Sequence, residues 1–296
     1  MQLAFDPADM LDPEGVGAVG EDGRPSPPQR LSPSGAATFD QCPRRWRFRY
    51  VDRLPDPPGA DALVGTFAHR VLEHLMQQHP SRRTPDEARR IARASWPEMS
   101  GSEDYRDLGL DQEQARKFRW QAWRAIEGLW DLEDPAGVDV QATEQHLSVT
   151  LDGVPFRGVV DRVESEPDGL VISDYKSGRA PSARYAGGRL QQVLLYAAAL
   201  AEETGRRPVR ARLLYLGQKI VATGVTPVEL EGAVGQLRST WDEIGDACGA
   251  DDFSPRPGPL CDYCPYAGLC PEGQAERTRR SELRAAEEES LLKLAG

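Results

Sequence analysis

The stretch Gly158-Val-Val-Asp161-Arg-Val-Glu-Ser-Glu-Pro167-Asp-Gly169-Leu-Val-Ile-Ser-Asp174-Tyr-Lys176 constrains this chain more than any other. Two β-branched apolar runs flank Pro167-Asp168-Gly169. Proline presets φ there and glycine accepts positive φ, so the segment predicts a tight hairpin. Asp161 falls on its first strand, Asp174 and Lys176 on its second. Residues two apart on a strand share a face, which sets the Asp174 carboxylate beside the Lys176 ammonium. On an exposed face that is a solvated ion pair worth about 0–1 kcal/mol. Val159, Val160, Val171 and Ile172 make these strands read as buried, however. Buried carboxylates are costly unless paired or metal-bound. Two carboxylates and one ammonium gathered this way can hold a hard divalent cation and act on a water molecule beside it.

Three further motifs bracket this hairpin. Upstream, Gly65-Thr-Phe-Ala-His69-Arg-Val-Leu-Glu73 opens an amphipathic helix with Phe67, Val71, Leu72 and Leu75 as its apolar stripe. His69 and Glu73 lie one turn apart beside it; alone, such a histidine reads as structural. Gly158 and Asp161 form G-x-x-D. Downstream, Gln192 and Tyr196 share a helix face. The order G-x-x-x-H, G-x-x-D, D-x-K, Q-x-x-x-Y resembles the PD-(D/E)XK nucleases of the RecB-like exonuclease group. The AddB nuclease domain and the CRISPR-associated adaptation nucleases belong to the same group. The resemblance runs from about Leu31 to Pro271.

That resemblance implies an α/β, restriction-endonuclease-like core: a mixed central sheet flanked by helices, with a helical insertion at about residues 80–135. It implies that His69, Asp161, Asp174 and the Tyr175 carbonyl bind Mg²⁺ or Mn²⁺. Lys176 would orient or deprotonate the attacking water, and Gln192 and Tyr196 would position the lysine or the substrate strand. Glu73 would support the ligands from one turn away. The implied reaction is hydrolysis of DNA phosphodiester bonds, exonucleolytic and preferring single strands or ends. A repair or recombination role, with a helicase or repair partner, follows from the family alone.

Cysteines offer an independent handle. There are five, and three form C-x2-C-x5-C at Cys261, Cys264 and Cys270, in a Pro/Gly-rich knuckle; Cys42 lies far upstream. The acidic, Pro/Gly-rich N-terminus lacks a charged n-region and an apolar h-region, so the expectation is a cytoplasmic chain with reduced thiols. A tight C-x2-C there reads as a metal site. Four thiolates suit either Zn²⁺ or an iron–sulfur cluster, and spacing does not separate them. The resemblance favours a 4Fe-4S cluster on Cys42, Cys261, Cys264 and Cys270, since some family members pair one upstream cysteine with a downstream C-x2-C-x5-C. A cluster so held would clip the C-terminal segment onto the N-terminal one and contribute to folding. Cys248 fits no ligand pattern and reads as a plain buried thiol.

The remaining organisation follows from local signals. At 296 residues the chain can build a sizeable core, and no run approaches membrane-spanning length. Residues 1–30, rich in Pro, Gly and acids, are expected to be disordered, with order starting near Leu31 and a helix capped by Ser32 or Ser34. Residues 62–132 read as helical. Within them Phe118, Trp120, Trp123, Ile126, Leu129 and Trp130 read as a core stripe rather than a base-stacking platform. Asp152-Gly153 marks a second hairpin. Strands are expected near 209–215 and 219–225, a helix at 227–248, and a charged helical tail at 272–296. The net charge of −11 opposes non-specific DNA affinity. Arg44, Arg45, Arg47, Arg49 and Arg53, interleaved with Trp46, Phe48 and Tyr50, nonetheless suit a single-strand path, or else an ordinary helix with its aromatics inward. Two other classes stay open: a non-catalytic DNA-binding module and a zinc-stabilised interaction protein. The intact Asp161, Asp174 and Lys176 speak against the first.

Overall fold

Asp152 and Gly153 both adopt positive φ, 45° and 78°, the two-residue turn whose twist matches that of antiparallel strands. They join β1 (Asp139–Leu151) to β2 (Val154–Glu166), and Pro167-Asp168 turns the chain into β3 (Gly169–Lys176). With β4 (Arg210–Tyr215) and β5 (Lys219–Gly224) they form one sheet in sequential order. β3 and β4 pair in parallel and the other neighbours antiparallel, so the sheet is mixed. The computed structural model describes residues 24–182 and 187–295.

Helices cover both faces of the sheet. On the N-terminal side are α1 (Pro33–Gln41), α2 (Pro43–Trp46), α3 (Ala60–Met76), α4 (Pro85–Gly101), α5 (Glu103–Asp107) and α6 (Gln112–Glu127). A parallel pair needs a crossover, and α7 (Gln191–Thr204) lies between β3 and β4 in the chain. α8 (Pro227–Ala250) and α9 (Pro271–Ala295) follow β5. Ile172 and Leu213 pack with Leu195, Leu200 and Leu237, while Tyr175 and Leu214 pack with Phe67, Val71 and Phe118. Alternate residues of β3 and β4 thus feed two separate apolar layers, as pleated strands must.

Local signals place the helix starts. The Ser32 hydroxyl accepts from Gly35 N–H at the start of α1, and Asp111 with Gln114 forms a capping box on α6. Order begins earlier than expected: Pro25 and Pro28 are already buried, and the rest of the expected disordered tail lies outside the described residues. The aromatic stripe also needs correction. Phe118, Ala122, Ile126 and Leu129 are buried, but Trp120 is 63% exposed. Two residues along a helix is a rotation of about 200°, so Trp120 points away from the face that Phe118 and Ala122 bury. Among the described residues no helix is long and apolar enough to cross a membrane.

Candidate active site

Two glycines let helices close on the carboxyl end of β3. A Cβ on Gly65 would lie 2.7 Å from Ser177 Oγ, so α3 approaches the residue directly after Lys176. A Cβ on Gly158 would lie 2.5 Å from Tyr196 Cε1, so the Tyr196 ring rests on bare β2 backbone. The motif glycines therefore bring the His69 helix and the Tyr196 helix to the same end of the sheet.

There the polar groups connect. His69 Nδ1 lies 3.4 Å from Asp161 Oδ2, and Tyr175 N–H donates to that same oxygen at 2.7 Å. Lys176 Nζ stands 2.6 Å from Asp174 Oδ2 and donates to Gln192 Oε1 at 3.0 Å; Gln192 Nε2 donates to the Tyr196 hydroxyl at 2.9 Å. Asp161 and Asp174 are both buried. Apart from the Lys176 ammonium, Asp174 Oδ2 has no hydrogen-bond partner among the described residues. Burial pushes the His69 imidazole below its ordinary pKa, outweighing the Asp174 charge that pulls it up. The neutral ring does not form a full ion pair with Asp161 and is in the form that ligates metals.

Among the described residues, no three His, Cys, Asp or Glu side chains already stand at metal-ligand spacing. The donor chemistry still fits a hard divalent cation: two buried carboxylates, one with an oxygen met only by the Lys176 ammonium, and a neutral imidazole.

A third carboxylate escaped the sequence reading. Thr143 pairs with Arg162 and Gln145 with Val160, which sets Glu144 across from Asp161. Its φ is +46°, a strained backbone for a non-glycine residue. The β1–β2 register slips by one residue between Val140 and Ala142, and bulges of this kind re-aim side chains next to functional sites. Burial, and then the Asp161 charge, push the Glu144 carboxyl up to about 8; His69 opposes that rise, and Glu73 and Asp174 add to it. In sequence Glu144 looks like the outward half of a polar alternation, and only strand pairing brings it to Asp161.

The PD-(D/E)XK nuclease superfamily model matches residues 30–271, most of the chain. The chain belongs to the PD-(D/E)XK nuclease superfamily. It is 24% identical to the Gene 69 protein of Mycobacterium phage D29 over 264 residues, covering 79% of this chain and 93% of the phage protein. The corresponding protein of Mycobacterium phage L5 is 21% identical over 281 residues, with the same coverages. Among solved structures, a Eubacterium rectale protein with a provisional exonuclease description aligns at a TM-score of 0.43. That alignment has 15% identity and covers 79% of this chain and 86% of the other.

The nuclease carries its cysteines at a second place. Cys42, Cys261, Cys264 and Cys270 line one small cavity together with Arg44, Arg45 and Phe48. Gly258 N–H donates to Cys261 Sγ at 3.5 Å and Gly273 N–H to Cys270 Sγ at 3.3 Å. The Tyr266 hydroxyl donates to the Leu54 carbonyl at 3.1 Å, and Arg44 Nε to the Phe253 carbonyl at 3.0 Å. The C-terminal knuckle therefore docks on the N-terminal segment through protein contacts. α9 joins it through Arg280 and Arg284, both on Asp262. All five cysteines are free thiols, and Cys248 is fully buried away from the other four.

In the expected single-strand path through Arg44, Arg45, Trp46, Arg47 and Arg49, the stacking role of Trp46 needs correction. Trp46 is buried, stacked on Phe253 at 5.9 Å, and so cannot receive a base. Arg47 pairs with Asp52 and Asp251, and Arg45 and Arg49 with Asp56. Trp46 packs inward, and aspartates stand beside Arg45, Arg47 and Arg49.

Proposed function

We propose that this PD-(D/E)XK nuclease is a metal-dependent deoxyribonuclease, a RecB-like exonuclease preferring single strands or DNA ends. It would serve DNA repair or recombination in the cytoplasm, alongside a helicase or repair partner. The observation that carries the reading is the run of contacts His69–Asp161–Tyr175 and Asp174–Lys176–Gln192–Tyr196 at one end of the sheet. His69, Asp161, Asp174 and the Tyr175 carbonyl are the groups that would hold Mg²⁺ or Mn²⁺, with Glu144 beside them. Such a cation, when bound, polarises the scissile phosphate and lowers the pKa of its water.

The chain's own residues supply the rest. Lys176 presents its ammonium next to Asp174, where it orients the attacking water and offsets charge growing on the phosphoryl oxygens. Gln192 holds the lysine's rotamer, and the Tyr196 hydroxyl fixes which way the Gln192 amide points. Tyr175 N–H locks the Asp161 carboxylate in place. At the other site, Cys42, Cys261, Cys264 and Cys270 line one cavity from both ends of the domain, and these thiols would be the ligands of a 4Fe-4S cluster with a structural role.

Oligonucleotides blocked at the 5′ or the 3′ end, single- and double-stranded, incubated with Mg²⁺ or Mn²⁺, test the reading. Wild type should shorten the single strands from a free end. Asp174→Ala and Lys176→Ala should leave them intact while keeping a wild-type circular dichroism spectrum. Digestion at the wild-type rate by either variant would show that the site is assigned wrongly.

A further inference from the structure

The exposed face of α6 carries the strongest unexplained signal in the molecule. Trp120, 63% exposed, stands in its middle. One turn before it are Arg116 and Lys117; one turn after are Trp123 and Arg124. The helix holds four cations, Arg116, Lys117, Arg119 and Arg124, against two carboxylates, Glu113 and Glu127, in a chain whose net charge is −11. Arg124 spends its charge on Glu127 at 3.1 Å, whereas Arg116 and Lys117 make no ion pair among the described residues.

Neighbouring rings on this layer already have cationic covers. The Arg89 guanidinium sits 4.9 Å over Trp123, and that of Arg119 sits 5.6 Å over Trp96. These contacts lay α4 alongside α6, with exposed Arg93 midway between Arg89 and Trp96. Trp120 alone among these tryptophans has no such cover in the described structure. A large ring kept largely in water, with two cations that make no ion pair among the described residues one turn before it, has the chemistry of a strand-binding platform: an aromatic face for a base and ammonium and guanidinium groups for its phosphates. The inner face of α6 meanwhile packs Phe118, Ala122 and Ile126 with Phe67 and Val71 of α3, the helix that bears His69. The platform is thus one helix layer removed from the metal-binding groups.

We propose that the outer face of α6 is an anchoring site for single-stranded DNA, with a base stacked on Trp120 and flanking phosphates held by Arg116 and Lys117. The proposal rests on the deoxyribonuclease reading and gives it a second contact point. A chain this acidic gains little from diffuse attraction to DNA, so its grip on a strand must come from local patches of this kind.

Fluorescence anisotropy of labelled oligothymidylates, with the full-length protein in EDTA to prevent hydrolysis, tests it. Trp120→Ala should weaken binding about tenfold, the size of one base–aromatic stack, with little change in melting temperature because most of the side chain lies in solvent. Arg116→Gln/Lys117→Gln should flatten the log–log salt dependence by about 1.4. Hydrolysis of oligonucleotides only a few nucleotides long should proceed at the wild-type kcat in both variants. Wild-type affinity and salt slope in both variants, in a preparation that cleaves DNA, would overturn the platform while leaving the nuclease reading intact; that is the result expected if the face docks an acidic protein instead. A wild-type protein that neither binds nor cleaves oligonucleotides would remove both.

Discussion

Two groups of buried charges sit on the same strands and are treated in opposite ways. Around Glu164, every carboxylate oxygen meets a donor: Ser173 and Arg212 on one, Arg162 on the other. Arg162, wholly buried, also grips Glu133 with both terminal nitrogens and donates to the Tyr175 hydroxyl at 2.9 Å; only its Nε has no hydrogen-bond partner among the described residues. One strand position further along, Asp174 Oδ2 has a single ammonium and no other hydrogen-bond partner among the described residues, and Glu144 stands in strained backbone opposite Asp161. Folding favours matched charges, so carboxylates met by several guanidinium donors read as structure, and a buried carboxylate held by one ammonium reads as a place kept open for something else. The difference is what separates the scaffold of this nuclease from its proposed reaction site.

Breaking the guanidinium–carboxylate cluster should give the largest loss of stability. Arg162→Met takes from Glu133 its bidentate partner and from Glu164 the donor to one oxygen, leaving Arg212 to serve both, an expected cost of about 3 kcal/mol in denaturant unfolding. Unfolding at the wild-type midpoint would mean that the network contributes nothing and that the contrast is empty. The cysteine cavity comes next. Cys42→Ala should lose iron and acid-labile sulfide and melt earlier. Cys248→Ala should keep both and lose only about 1 kcal/mol from a small core deletion. Full iron in the first, or its loss in the second, would reassign the ligands, and zinc in place of iron would change the metal.

The smallest effect concerns Glu144. Its folded carboxyl titrates near 8, above the ordinary carboxylate value, so between those two pH values the folded chain binds more protons than the unfolded one. Stability of the metal-free protein must therefore fall as pH rises through that window. Glu144→Gln should flatten the fall, measured as melting temperature against pH from 5 to 8.5 in EDTA. An unchanged slope would place Glu144 outside the carboxylate group.

Much of this was legible before any coordinates. The turn residues at Asp152-Gly153 and Pro167-Gly169 determined the hairpins, and the glycines of G-x-x-x-H and G-x-x-D mark the two close approaches that assemble the site. What escaped was set by partners distant in sequence. Asp251 neutralises Arg47 from two hundred residues away, and Phe253 buries Trp46. Glu144 becomes significant only once β1 pairs with β2, and Trp120 only once rotation about the α6 axis, rather than spacing, is taken into account.

The contrast between the clusters has one decisive measurement: thermal unfolding with and without Mn²⁺ for wild type, Asp174→Asn and Glu164→Gln. A cation that binds the folded state raises its melting temperature. The account predicts that Mn²⁺ raises it in wild type and in Glu164→Gln, which starts from a lower value. It also predicts that Asp174→Asn starts near wild type and does not respond to the metal. An undiminished Mn²⁺ response in Asp174→Asn would contradict it.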